Sequence, residues 1–136
     1  MTDESFIAAA ESACFAEPWT KADIHTLMEG GYCIYEIIPD TGYALGRISF
    51  DEAELYRIAV LPDKRRRRAG TELLERFIGK CRERGASKVF LEVRSKNTPA
   101  VSLYEKHGFT LISTRKRYYG DDDALIYQLD TGVQEN

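Results

Sequence analysis

Two stretches of the 136-residue chain hold residue types whose spacing could do chemistry. The first, IAVLPDKRRRRAG over residues 58–70, leads from an apolar run into a helical pattern through Arg65, Arg66, Arg67 and Arg68. A strand that enters a helix through a basic turn suits an anion. The first helical amides lack intrahelical partners, the helix dipole is positive there, and guanidinium groups add charge-assisted hydrogen bonds. By itself such a turn is equally a solvated basic loop or a nucleic-acid patch. The second stretch, LEVRSKNTPAVSLYEKHGF over 91–109, sets a carboxylate (Glu92), an amide (Asn97) and a phenol (Tyr104) on consecutive elements. Such groups can move protons and hold polar ligands. Taken singly, a strand Glu is most often a solvated charge, a helical Tyr is most often core, and Asn97 is placed to cap a helix begun by Pro99.

Hydrophobic periodicity says which elements must position these groups. Phe6, Ile7, Ala10, Ala13 and Cys14 recur at helical spacing and predict a short helix over 5–15 that stops before Pro18. Thr20, with Asp23 three residues on, is an N-cap for a second helix, whose stripe is Ile24, Leu27 and Met28 and which ends at Gly30 and Gly31. YCIYEII, YALGRISF and AELYRIAVL then read as three antiparallel strands in a meander. Residues 70–84 carry Leu73, Leu74, Phe77, Ile78 and Cys81 at helical spacing, closed by Gly85 as a left-handed cap. KVFLEVR alternates Val89, Leu91 and Val93 against Phe90, Glu92 and Arg94, a strand pattern, and the Pro99 helix follows with Val101, Leu103 and Tyr104. LISTRKRYY and ALIYQL read as the last two strands, with Gly120 and a solvated acidic turn, Asp121 to Asp123, between them. This order predicts an α/β layer structure around a mixed sheet.

Composition bounds the function. With 43% hydrophobic residues the chain can build a core as one domain over 1–130, followed by a polar tail over 131–136. A net charge of -3 argues against a protein built for bulk nucleic-acid binding. No window approaches a membrane span and the first residues do not form a secretory leader, so a cytoplasmic location is expected. Cys14, Cys33 and Cys81 lack metal or redox spacing and read as reduced core thiols. His25 and His107 have no partner at ligand or triad spacing, and no metal site is expected.

The basic turn after AVLP, taken with LEVR-x-x-N-x-x-A-x-x-L-Y-E-x-x-G-F, resembles the GCN5-related N-acetyltransferases (GNAT). Within that family, the early PW-T, the LYRIAV strand and the late RKRYY are most similar to bacterial ribosomal-protein alanine N-acetyltransferases. The resemblance implies a mostly antiparallel central sheet flanked by helices on both faces. It also implies that acetyl-CoA lies in a V-shaped opening between the strands at 55–61 and 88–94. Backbone groups of Ile58, Ala59 and Val60 would hold the pantetheine arm and stabilise the oxyanion. Residues 66–71 (Arg66, Arg67, Arg68, Ala69, Gly70, Thr71), with Arg65 before them, would cradle the pyrophosphate, and Asn97 would bond the cofactor from the other side. Glu92 matches the general base, which partial burial on its strand would tune. Tyr104 matches the proton donor to the leaving thiolate. Trp19, Tyr118 and Tyr119 match positions near the acceptor peptide. The acceptor implied is a protein N-terminal α-amine, by resemblance an alanine on a ribosomal protein; a lysine side chain or a small amine is compatible with the same residues.

Two features depart from the family pattern. The turn normally reads Arg or Gln, two variable residues, Gly, a variable residue, then Gly or Ala. Arg65 and Gly70 fit, but Arg68 stands where the first Gly belongs. Glycine there frees both space and dihedrals. A helical Arg68 would point its side chain outward toward a phosphate, whereas a non-helical one would weaken or abolish cofactor binding. The strand that precedes the first family helix is short or missing here, leaving an open sheet edge that a monomer tolerates or a dimer covers. The alternatives to the enzyme are therefore a degenerate cofactor-binding or interaction module and, against the acidic pI, an RNA binder stacking bases on Tyr118 and Tyr119.

Overall fold

Local rules account for where the elements begin and end in the computed structural model, which describes residues 1–134. Helix α1 (Asp3–Cys14) starts from Thr2, whose side chain accepts the Ser5 amide. Helix α2 (Lys21–Glu29) starts from a reciprocal capping box between Thr20 and Asp23. A meander follows: β1 (Cys33–Ile38), β2 (Gly42–Ser49) and β3 (Glu52–Val60). A 3-10 turn (Pro62–Lys64) and the arginines lead into α3 (Ala69–Glu83), after which Gly85 takes φ +86°. Strand β4 (Lys88–Arg94) and α4 (Thr98–Lys106) come next, the latter capped by Asn97 with Pro99 in its first turn. Strands β5 (Thr110–Arg115) and β6 (Ala124–Asp130) complete the fold.

The six strands form one sheet in the order β1-β2-β3-β4-β6-β5. All neighbours are antiparallel except β3 and β4. That parallel pair matches Glu52 with Lys88 through Leu55 with Leu91 and goes no further, although β3 runs on to Val60 and β4 to Arg94. Beyond Leu55 and Leu91 the two strands part, which opens the middle of the sheet. Helix α3 buries Leu73, Leu74 and Phe77 completely on one face, in a core shared with Leu55, Val89, Leu91 and Tyr104. Each such side chain contributes roughly 1.5–3 kcal/mol relative to exposure. The opposite face buries Ile7, Ala10 and Ile24 of α1 and α2 against Tyr43, Leu45 and Ala59.

Two expectations are corrected. The strand read through Tyr119 ends at Arg115, because Arg117 turns to φ +54°, its N–H bonding Asp123 Oδ1 at 2.8 Å, and Tyr119 N–H bonds the Asp122 carbonyl. The acidic turn is not uniformly solvated: Asp122 is buried and accepts from Ser95 Oγ at 2.5 Å and the Lys96 amide at 3.1 Å, tying this turn to the end of β4. The stretch over 131–136 is anchored at its start, where buried Thr131 donates to the Ala86 carbonyl at 2.6 Å; its last two residues, Glu135 and Asn136, lie outside the described residues. Among the described residues no strand precedes α1, and β1 and β5 form the sheet edges.

Candidate active site

The parting of β3 and β4 leaves room for cavities on both sides of the gap. The first, of about 490 Å³, is lined by Trp19, Glu54, Tyr56, Phe90, Glu92, Arg115 and Tyr119. Strand alternation explains Glu54, Tyr56, Phe90 and Glu92, since Ala53, Leu55, Val89, Leu91 and Val93 enter the α3 core; Leu55 and Leu91, where the pairing of β3 and β4 ends, reach the cavity as well, with Ile126. Glu92 is exposed rather than partly buried, and its Oε2 accepts the Tyr119 hydroxyl at 2.6 Å. Burial, then the bond to Glu92, pushes the Tyr119 phenol up to about 12, so it stays a donor at neutral pH. The Arg94 guanidinium lies 3.9 Å from the Tyr119 ring centroid and fixes it from the far side. Tyr118 is half exposed and leans on Tyr119 at 5.2 Å, outside this cavity wall.

The second cavity, of about 430 Å³, takes its walls from Cys14, Phe15, Ile58, Ala59, Val60, Arg65, Asn97 and the first residues of α4. It adjoins a smaller one bounded by Arg65, Arg66, Arg68, Ala69, Gly70 and Thr71. Arg67 faces a separate depression with Arg68, Thr71 and Arg76. Of the three β3 residues, Ile58 and Val60 alone offer backbone groups to the gap. The Leu61 amide bonds the Thr41 carbonyl, so the alternation assigns Ala59 to exchange its bonds with Tyr43 and leaves Ile58 and Val60 pointing away from β2. The Val60 carbonyl is already taken by Arg65 Nε at 3.0 Å. Asn97 Oδ1 accepts the Ala100 amide at 3.4 Å, so it caps α4 while lining the cavity.

Arg68 is not helical. It caps α3 at φ +62°, ψ +16°, the left-handed region that glycine enters freely, and Arg66 does the same at φ +66°. The turn thus keeps a glycine-like backbone without the glycine, and the first amides of α3 stay unpaired toward the small cavity. Tyr104 sits elsewhere. It is nine-tenths buried, packs edge-on to Phe109 at 5.7 Å, and lines none of these cavities. Burial pushes its phenol up to about 12, and its hydroxyl bonds no other described residue. Among the described residues no three His, Cys, Asp or Glu side chains gather as a metal site.

The family model for the GNAT acetyltransferases matches residues 5–109. The chain belongs to the GNAT acetyltransferase family. It is 33% identical to the ribosomal protein bS18-alanine N-acetyltransferase of Escherichia coli (strain K12) over 126 residues, 88% of this chain and 85% of that protein. The crystal structure of the ribosomal-protein-S18-alanine N-acetyltransferase from Escherichia coli superposes with a TM-score of 0.88 at 30% identity, over 100% of this chain and 92% of the other. A GNAT acetyltransferase from Elizabethkingia anophelis with acetyl-CoA bound shares the fold at a TM-score of 0.71 and 18% identity, covering 96% and 91% of the two chains. This GNAT chain is accordingly an N-acetyltransferase with the mostly antiparallel, helix-flanked sheet that the sequence implied.

Sequence reasoning missed part of the GNAT site. Glu54, Tyr56 and Phe90 share the Glu92 face by simple alternation, a signal present in AELYRIAV and KVFLEVR. It also missed a buried cluster. Glu11 is fully buried and accepts from the Tyr43 hydroxyl, from the Trp19 amide at 2.9 Å and from Arg57 Nη1 at 2.5 Å. Its signal was a carboxylate on the apolar stripe Ile7, Ala10, Glu11, Cys14.

Proposed function

We propose that this GNAT enzyme transfers the acetyl group of acetyl-CoA to the α-amine of a protein N-terminus, an alanine on a ribosomal protein, in the cytoplasm. The observation that carries this reading is an exposed carboxylate, Glu92, held by Tyr119 in an aromatic-walled cavity beside the gap between β3 and β4. The gap leads on to the basic turn. The E. coli relative acts on a ribosomal protein alanine, and the E. anophelis neighbour binds acetyl-CoA.

The residues fit the donor. Ile58 and Val60 offer free amides to an extended amide-bearing arm and to negative charge on the acyl oxygen, while Arg65, Arg66, Arg68 and the α3 amides of Ala69, Gly70 and Thr71 suit a pyrophosphate, with Arg67 in the neighbouring depression. Asn97 faces the same cavity from α4. An α-amine, with an ordinary pKa of about 7.7–8.0, is mostly protonated at neutral pH. Glu92 takes that proton, the amine nitrogen bonds the acyl carbon and the carbon–sulfur bond breaks. The family resemblance makes Tyr104 the donor of the proton the thiolate needs, a role its hydroxyl would fill from the core side since its ring lines none of the cavities, and the second proton of the amine nitrogen then restores the phenol. Direct transfer needs no covalent enzyme intermediate, so none of the three cysteines has a role, although Cys14 lines the donor cavity. Burial raises the Cys81 thiol to about 12 and the Cys33 thiol above its usual range, so neither is a ready nucleophile. Trp19, Tyr119 and the neighbouring Tyr118 form the acceptor side.

The degenerate-module alternative rests on Arg68, and a non-helical Arg68 is the case expected to weaken cofactor binding. The conformation it adopts is nevertheless the left-handed one that a glycine would take there, so the first α3 amides keep their approach to a phosphate, and this supports the enzyme. The test is mass spectrometry of an alanine-starting peptide incubated with enzyme and acetyl-CoA. One acetyl group on the α-amine supports the reading; modification only of lysine side chains, or none, overturns it.

A further inference from the structure

The loop between α1 and α2 forms part of the wall of both cavities beside the gap, although it belongs to no helix or strand itself. Phe15 lines the cavity between β3 and α4, and Trp19 lines the cavity of Glu92. Between them lies Arg57 of β3. Its guanidinium stands 4.3 Å from the Phe15 ring centroid and 4.3 Å from the Trp19 ring, and Trp19 in turn meets Tyr56 edge-on at 6.1 Å. Glu11 pins the stack from within. One Oε2 atom accepts both Arg57 Nη1 and the Trp19 backbone amide, and Oε1 accepts the Tyr43 hydroxyl.

A fully buried carboxylate paired with a half-buried arginine rarely adds net stability over apolar packing, so this cluster calls for another role. Its geometry supplies one. A guanidinium is planar and can stack on two rings while its edge bonds a carboxylate, which a lysine ammonium cannot do. The cluster fixes both the backbone and the ring of Trp19.

Resting on the acceptor reading above, we propose that Arg57 and Glu11 are positioning residues that set Trp19 as the wall of the acceptor cavity, and so govern acceptor binding rather than donor binding. The donor side is less dependent on Arg57, because the Phe15 amide is held separately by the Glu11 backbone carbonyl at 2.9 Å.

The chain has a single tryptophan, so its fluorescence reports on Trp19 alone. The test uses the full chain and two variants: Arg57→Lys, which keeps the charge but not the plane, and the double variant Glu11→Gln with Arg57→Met, which removes both charges of the pair so that neither is stranded. Far-ultraviolet circular dichroism establishes that each folds. In both, acrylamide quenching of Trp19 is expected to rise about twofold and the KM for an alanine-starting peptide about tenfold. The KM for acetyl-CoA and kcat should stay within about threefold. Unchanged quenching, an unchanged peptide KM, or equal rises in both KM values would overturn the proposal. Should the wild type fail to acetylate the peptide, the acceptor reading falls, and the quenching comparison still decides whether Arg57 and Glu11 position Trp19.

Discussion

Replacing Arg68 by glycine separates two effects that the basic turn combines. At φ +62° an L-residue carries a steric cost of about 1–2 kcal/mol, which glycine does not. Glycine gains more freedom in the unfolded chain, which takes back about 0.5–1 kcal/mol. The difference leaves Arg68→Gly more stable by about 0.5–1 kcal/mol, or about 2–4 °C in Tm for a domain of this size. Arg68→Ala keeps the Cβ and the strain, so its Tm should match the wild type. Both variants lose the same exposed charge beside the small cavity, so acetyl-CoA binding should weaken about three- to fivefold in each, less in high salt. Differential scanning calorimetry and titration calorimetry on the three proteins measure both quantities. A lower Tm for Arg68→Gly than for Arg68→Ala would refute the strain argument. Acetyl-CoA binding tightened tenfold by glycine would show instead that the arginine side chain blocks the cradle, as the degenerate-module reading requires.

Tyr104→Phe should lower kcat about a hundredfold without changing acetyl-CoA affinity, since it removes a proton donor and keeps the packed ring; unchanged kcat across the pH range would release Tyr104 from the mechanism. Gly46→Ala should destabilise by about 1–3 kcal/mol in thermal unfolding, because its Cβ would lie 2.0 Å from the Glu54 carbonyl oxygen and 2.8 Å from Phe77 Cζ, and a wild-type Tm would contradict this. The His25 imidazole is raised above its ordinary value by the hydrogen bond to Glu4 at 2.8 Å, then by the charges of Glu4 and Glu29. Its contribution is therefore full below about 6.5 and is lost as pH rises through the raised value. In low salt the Tm advantage of the wild type over His25→Gln should shrink from about pH 6 to about pH 8, and an advantage that grows would reverse the sign.

The legible parts of the fold are those written in local rules. The Thr20–Asp23 capping box, Gly85 after α3, Asn97 before Pro99 and the alternation of KVFLEVR each name an element without help from the rest of the chain. The tail of LISTRKRYY misled because its aromatic and basic residues look like a strand, while the turn at Arg117 is imposed by Asp122 and Asp123, several residues later. The site was legible in the same way. Glu92, Trp19 and Tyr119 share a cavity, and Ile58, Ala59, Val60, Arg65, Arg66 and the residues from Arg68 to Thr71 line the cavities beside it. Tyr104 joins the core under the sheet instead. Glu92's exposure depends on how far the flanking strands spread, which is a property of the pairing and not of LEVR. Glu11, Tyr43 and Arg57 meet across 32 and 46 residues of sequence, a distance at which no local pattern operates.

The central claim is that Glu92 takes the proton from an N-terminal amine. Thiol release from acetyl-CoA with an alanine-starting peptide, followed for the wild type and Glu92→Gln beside calorimetric acetyl-CoA affinities, tests it most directly. The amide keeps the shape and cannot serve as the base, so kcat should fall by about 10²–10³ while acetyl-CoA affinity stays within twofold. A Glu92→Gln enzyme that turns over within about threefold of the wild type would contradict the account.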